Sequence, residues 1–183
     1  MPILEKEICE FPTGLLDQSV DSTERRWFAI YTKARQEKAL ARQLVGYDIP
    51  FYLPLVPKEN YIRGKRVESF LPLFGGYLFL FGTEHERVQA LTTNRISQVL
   101  PVNDQQQIRH DLLQLRDVID SGIPVTLEKR LQAGDRVRVE KGPLKGVEGV
   151  VVARRGERRL IVAVNYLQQG VSVQIDDFML SKL

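Results

Sequence analysis

The chain has 183 residues, of which 43% are hydrophobic and 27% are charged, and its net charge is only +3. This composition favours one or two compact domains over a disordered chain, and no apolar run approaches the roughly 20 residues that span a bilayer. The single cysteine, Cys9, excludes an intramolecular disulfide and a thiolate zinc cluster, so a cytoplasmic protein is expected.

The positive charge is unevenly distributed along the chain. Residues 1–23 hold one lysine against five acids, whereas residues 24–121 hold 14 basic against 11 acidic residues, and residues 122–183 hold 11 against 7. The folded part is therefore basic, which points to an anionic partner such as nucleic acid.

Strands and helices are expected to alternate as far as residue 121. Residues 1–23 are expected to form a tail, docked through Phe11, Leu15 and Leu16. The elements then predicted are a strand at 26–31, a helix at 34–45, an extended segment at 51–56, a hairpin at 61–67, a strand at 71–81, a helix from 84 to about 91, a strand at 96–102 and an amphipathic helix at 108–119.

The composition changes after Gly122 and Pro124. Only short strands separated by turn signals follow, at 136–140, 147–154, 160–166 and 171–175. Several short strands in about 50 residues are typical of a small β-barrel. The domains expected are thus a tail at 1–23, a first domain at 24–121, a linker at 122–130 and a barrel at 131–183.

No pattern of catalytic or metal-binding residues stands out. His85 and His110 have no partner at ligand spacing, and the chain contains no G-x-S-x-G, H-E-x-x-H or P-loop motif. We therefore expect no enzyme activity, no cofactor and no metal ion.

Aromatic and basic side chains are the remaining candidates for function. Core packing is the expected role of Phe79 and Phe81. Because strand side chains alternate between faces, the run Tyr77–Phe81 is nevertheless apolar on both faces; one face can line the core, and the other must be covered by a helix, the second domain or a partner. The turn at 63–66 holds three cations and is either a solvated hairpin tip or a finger that contacts phosphates. The basic stripe of Lys33, Arg35, Lys38 and Arg42 serves either nucleic acid or solvent.

Several segments resemble NusG-type transcription elongation factors. These are Trp-Phe-Ala-Ile-Tyr at 27–31, Pro-Leu-Phe-Gly-Gly-Tyr-Leu-Phe at 72–79 and Asn-Arg-Ile at 94–96, which are similar to the N-terminal, or NGN, domain. Residues 137–151, Val-Arg-Val-Glu-Lys-Gly-Pro-Leu-Lys-Gly-Val-Glu-Gly-Val-Val, resemble a KOW motif. The basic hairpin at 63–66 is closer to specialised, RfaH-like paralogs.

The resemblance implies an α+β fold, with a ferredoxin-like α/β sandwich of the NGN type followed by a small SH3-like β-barrel of the KOW type. It implies a monomeric bacterial elongation or antitermination factor. The first domain would bind the clamp helices of the largest RNA polymerase subunit, suppress pausing and pass over non-template DNA, and the barrel would recruit the ribosomal protein NusE or Rho. A ribosomal or other RNA-binding KOW protein is the alternative, although such a protein would not need the aromatic strand.

The family's functional residues carry over by position. The polymerase-binding set is Tyr31, Phe74, Tyr77 and Phe79 for the clamp helices, with Arg87 and Gln89 near the contact to the other large subunit. The nucleic-acid set is Lys33, Gln43, Asn94 and Arg95, joined by the hairpin cations Arg63, Lys65 and Arg66. The partner loop of the barrel is Gly142, Leu144 and Gly146, with Leu144 expected either as an exposed apolar contact or folded onto its own barrel. Branched residues and glycines favour a permanent barrel over a switch to helix.

Overall fold

The computed structural model describes residues 7–18, 24–176 and 179–183, so parts of the expected N-terminal tail lie outside the described residues. The chain divides into two compact units, Met1–Gln105 and Gln106–Leu183. This division differs from the boundaries expected at 121 and 131, because the last helix and a strand in the expected linker belong to the second unit.

The first unit alternates strands and helices, as the sequence predicts. Its elements are β1 (Glu10–Phe11), β2 (Arg26–Thr32), α1 (Glu37–Gly46), β3 (Phe51–Tyr52), β4 (Leu55–Ile62), β5 (Lys65–Pro72), β6 (Tyr77–Gly82), α2 (Glu84–Leu91) and β7 (Ile96–Pro101). A short 3-10 helix spans Leu15–Asp17.

The first unit is built on an antiparallel sheet with the strand order β1-β3-β6-β2-β7. The core contains Leu40 and Leu44 of α1, the two apolar residues that the sequence places on one helix face. Trp27 is 1% exposed, and its ring centroid lies 5.0 Å from that of Phe81. The central strands are therefore held by buried aromatic and aliphatic packing.

The described part of the tail docks onto this sheet. Glu10 and Phe11 pair with β3, and the backbone nitrogen of Leu53 donates to the carbonyl oxygen of Cys9 at 2.6 Å. Leu15 and Leu16 are buried, as expected, while Phe11 is half-buried. The tail therefore completes the edge of the sheet.

The strand expected at 71–81 is interrupted. Strand β5 ends at Pro72 and β6 begins at Tyr77, because Gly76 adopts φ +85° and Tyr77 donates a turn hydrogen bond to the carbonyl of Phe74 at 3.0 Å. The helix α2 begins with the predicted capping box, in which Thr83 and Glu86 bond each other's backbone nitrogens.

Strands β4 and β5 form a separate two-stranded hairpin, longer than the sequence predicts. Its two-residue turn is Arg63-Gly64, and both residues have positive φ, at 50° and 74°. A turn of this kind matches the twist of a hairpin, and glycine makes it accessible. Each strand has eight residues, so the hairpin reaches about 26 Å at about 3.3 Å per residue.

The second unit joins one helix to an antiparallel sheet. Its elements are α3 (Gln105–Asp120), β8 (Thr126–Glu128), β9 (Asp135–Val139), β10 (Glu148–Arg154), β11 (Glu157–Val164), a 3-10 helix (Asn165–Leu167), β12 (Gln169–Gln174) and β13 (Leu180–Lys182). The strand order is β13-β9-β10-β11-β12-β8. The sequence predicts β9 to β12, whereas β8 and β13 are additional.

Helix α3 is fastened to this sheet by side chains. The amide of Gln114 accepts from the backbone nitrogen of Glu148 at 2.6 Å and donates to its carbonyl at 3.2 Å. Asp111 accepts from the backbone nitrogen of Asn165 at 2.9 Å, and burial raises the pKa of this carboxyl although these hydrogen bonds oppose the rise. The start of β10 and the 3-10 helix that follows β11 are thus both attached to α3.

Among the helices of the described residues, none is both long and apolar enough to cross a membrane.

Candidate functional site

Two tyrosines form an exposed aromatic surface on the first sheet. Tyr31 near the end of β2 pairs directly with Tyr77 at the start of β6, and their ring centroids are 5.2 Å apart at an angle of 50°. Tyr31 is 41% exposed and Tyr77 is half-buried. We call these two residues the tyrosine pair.

Glycine at position 76 allows the ring of Tyr31 to lie against the backbone. A Cβ atom at Gly76 would lie 2.8 Å from Cε2 of Tyr31, closer than real Cβ contacts, and φ is +85°. The neighbouring Gly75 has no atom within 4 Å of such a Cβ. The second glycine of the pair is therefore the one that shapes the aromatic surface.

The other two aromatic residues of the expected clamp-helix set lie inside the protein. Phe74 is 1% exposed and Phe79 is 0% exposed. In this structure they cannot touch a partner, so of the four expected aromatic contacts only the tyrosine pair reaches the surface.

A depression of about 400 Å³ adjoins the tyrosine pair. Its lining residues are Tyr31, Thr32, Lys33, Ala34, Arg35, Glu37, Gly75, Gly76 and Ser97. Glu37 accepts from the backbone nitrogen of Gly76 at 2.6 Å, which fixes the glycine turn to α1. The hydroxyl of Thr32 is buried without a hydrogen-bond partner among the described residues.

Lys33 and Asn94 lie together beside this depression. The ammonium of Lys33 donates to Oδ1 of Asn94 at 2.7 Å, and the backbone nitrogen of Lys33 donates to the carbonyl of Arg95 at 2.8 Å. Asn94 has φ +57°, a conformation that asparagine tolerates better than most residues. The structure thus brings three of the expected nucleic-acid residues to one place.

Two glutamines hold the guanidinium of Arg95. Its Nε donates to Oε1 of Gln43 at 2.7 Å, and its Nη1 donates to Oε1 of Gln36. Gln43 therefore acts here as a support for Arg95. Sequence reasoning missed Gln36, although a residue seven positions before Gln43 falls on the same helical face.

The hairpin cations lie apart from this group in the described contacts. Arg63 and Lys65 are exposed at the tip, while Arg66 is ion-paired with Glu59 across the hairpin. The charge of Arg66 is thereby partly neutralised, which leaves Arg63 and Lys65 as the more available cations.

Arg87 and Gln89 lie on α2. Nε of Arg87 donates to Glu84 at 2.8 Å, and this hydrogen bond lowers the pKa of the Glu84 carboxyl. Gln89 is half-buried. The guanidinium of Arg87 is therefore paired with a carboxylate of its own helix.

The expected partner loop has its glycines in turns, but its apolar residue is buried. Gly142 and Gly146 have φ +88° and +90°, and Gly146 donates to the carbonyl of Val139 at 2.8 Å. Leu144 is only 4% exposed, so of the two alternatives that the sequence leaves open the structure has the buried side chain and not the exposed apolar contact. The tight turn folds its side chain inwards.

Residues 25–117 match a family model described as transcription termination factor NusG. The match covers just over half of the chain and includes the tyrosine pair, Lys33 and Arg95. The chain belongs to the NusG family. Members of this family are transcription factors and generally bind RNA polymerase.

Proposed function

We propose that this protein is a bacterial transcription elongation or antitermination factor of the specialised, RfaH-like kind. Its tyrosine pair binds the clamp helices of the largest RNA polymerase subunit, and the bound factor suppresses pausing. The observation that carries the proposal is the exposed Tyr31–Tyr77 contact, held by the glycine turn inside the family-matched segment.

The tyrosine pair has the properties of a binding hot spot. Two large aromatic rings stand on adjacent paired strands, so little conformational entropy is lost when a partner covers them. Such residues fit the apolar stripe of a partner helix, while their hydroxyl groups stay hydrogen-bonded to water at the rim.

We assign the neighbouring Lys33, Asn94 and Arg95 to the non-template DNA strand. Lysine meets a phosphate as a point charge, and arginine can bond a guanine bidentately. Because Gln36 and Gln43 hold its guanidinium, Arg95 is pre-oriented, which reduces the entropy lost on binding. Arg63 and Lys65 extend the same basic character along the hairpin.

We propose that the second unit is an SH3-like KOW barrel that recruits NusE or Rho. This proposal is supported by the all-antiparallel short strands of the unit and by the KOW-like segment at 137–151, in which Gly142 and Gly146 lie in turns. Because Leu144 is buried, the exposed Lys141 and Lys145 are the better candidates for contact in this loop.

The test measures binding of Tyr31→Ala and Tyr77→Ala variants to purified core polymerase by biolayer interferometry. Each variant should bind about 30-fold more weakly, since a buried aromatic anchor contributes about 2 kcal/mol or more. The matched control is Tyr47→Ala, because Tyr47 is 40% exposed but lies at the end of α1. Unchanged affinity in folded Tyr31 and Tyr77 variants would remove the tyrosine pair from the interface.

A further inference from the structure

Two basic segments that are distant in sequence are joined in the second unit. The guanidinium of Arg154, at the end of β10, forms an ion pair with Glu128, the last residue of β8, at 3.1 Å. The guanidinium of Arg159 on β11 donates to Oγ1 of Thr126 at 3.0 Å. These contacts fix the end of β8 beside the tip of the β10–β11 hairpin.

The carboxylate at this junction is fully engaged by its neighbours. Glu128 is 6% exposed and accepts from the hydroxyl of Ser172 at 2.6 Å as well as from Arg154. Burial alone would raise the pKa of Glu128, but the hydrogen bonds from Ser172 and Arg154 hold it below its usual value. Glu128 therefore stays charged and neutralises Arg154. It does not neutralise Lys129 or Arg155, the cations next to these two residues in sequence.

Positive charge dominates the rest of this junction. Residues 126–130 and 153–159 together hold six cations and two acids, and one of the acids is Glu128. The exposed cations at this junction include Lys129, Arg130 and Arg155, and we call these three residues the basic rim. Among the described residues, no ion pair is formed by Lys129, Arg130 or Arg155.

The hairpin tip presents these cations on a well-defined turn. Arg155 and Gly156 both have positive φ, at 53° and 80°, which is the two-residue turn that suits a twisted hairpin. The second acid, Glu157, lies 3.8 Å from Arg159 and is thus directed to a cation outside the basic rim. Nearby Asp135 is likewise paired with Lys182, at 3.3 Å.

The geometry points to a second nucleic-acid contact in this chain, in which the basic rim binds the phosphate backbone. Guanidinium groups bond phosphate oxygens in a fork, and a lysine adds a mobile point charge. Contacts of this kind give affinity without sequence preference. The site is independent of the Lys33, Asn94 and Arg95 group in the first unit, and it gives the second unit a partner other than a protein.

The experiment uses the full chain and filter binding to three probes of one sequence: single-stranded RNA, single-stranded DNA and duplex DNA. Lys129→Gln/Arg155→Gln removes one cation from each basic segment. If both side chains contact phosphates, a fourfold rise in salt concentration should lower the affinity of the unaltered protein for single strands. That reduction should be roughly sevenfold greater than the one measured for the variant. A loss on all three probes, somewhat larger on the duplex, identifies the shared phosphate backbone as the ligand, and a loss on RNA alone identifies RNA.

Lys141→Gln/Lys145→Gln is the matched control, since it removes two exposed cations from another loop of the same unit. The loss from the rim substitutions should also persist in a Lys33→Ala background, because sites that share no partner usually contribute additively. The proposal is overturned if the rim variant binds as tightly as the unaltered protein, or if rim and control variants lose affinity equally. Neither result depends on polymerase binding, so the two proposals fail separately.

Discussion

Position 76 shows how the absence of a Cβ atom shapes an aromatic surface. Gly76→Ala should lower the free energy of unfolding by about 2 kcal/mol, because the new Cβ combines a left-handed backbone with a 2.8 Å approach to the Tyr31 ring. Urea titration followed by circular dichroism measures the change. Gly75→Ala is the control and should be nearly neutral; equal losses at both positions would mean that the ring contact is unimportant.

The Lys33, Asn94 and Arg95 group supports a prediction about DNA. Arg95→Ala should relax any sequence preference in non-template DNA, because only the guanidinium can read a guanine bidentately. Lys33→Ala should weaken binding to all DNA sequences about equally. Gln43→Ala should have the same effect as Arg95→Ala but a smaller one, since Gln43 only orients the arginine.

Filter binding to a panel of single strands measures these effects. Arg26→Ala is the control, because Arg26 is an exposed cation at the other end of β2. Uniform losses on every sequence for Lys33→Ala and Arg95→Ala alike would show that Arg95 reads no base.

At the residue scale, the sequence predicts which residues lie close together more accurately than it predicts which of them are exposed. Lys33, Asn94 and Arg95 come together as the resemblance implies. The burial of Phe79 agrees with the core packing that an apolar strand favours. The burial of Phe74 could not be predicted, because Phe74 lies between β5 and β6, where strand alternation does not apply. The burial of Leu144 depends on the tight glycine turn around it.

At the scale of the elements, two hydrogen bonds from Gln114 attach helix α3 to strand β10. Gln114→Ala removes both hydrogen bonds to Glu148 and should lower the free energy of unfolding by about 1–3 kcal/mol, since a backbone donor and acceptor lose their partner. Gln106→Ala provides a control of equal helix propensity at an exposed position of α3. Urea unfolding of the full chain distinguishes them, and matching midpoints would show that the Gln114 contact contributes nothing.

The sequence predicts the long elements and misses the short ones. Helices α2 and α3 follow from a capping box and an apolar period. Strands β1, β8 and β13 have only two or three residues, too few to show any alternation. They form because a neighbouring strand edge offers unpaired backbone groups, which is information that a local pattern does not contain.

At the scale of the whole molecule, the division at Gln105 changes what counts as the second unit. A fragment of residues 106–183 should be more stable than one of residues 131–183. The shorter fragment loses α3, the pairing of β8 with β12, and the Glu128 contacts to Arg154 and Ser172. Urea midpoints of the isolated fragments test this expectation.

A third fragment, of residues 124–183, separates the two contributions because it keeps β8 without α3. Its midpoint should lie between the other two. If residues 131–183 alone match the longest fragment, the boundary expected from the sequence describes the second unit better than the division at Gln105.

The burial of Trp27 gives the two units different optical properties. It is the only tryptophan in the chain, its indole N–H has no hydrogen-bond partner among the described residues, and it belongs to the first unit. The second unit contains a single tyrosine, Tyr166. Indole emission therefore comes from a residue of the first unit, so comparing its shift towards the red with the loss of ellipticity from the whole chain tests whether the chain unfolds in one step, without any chemical label.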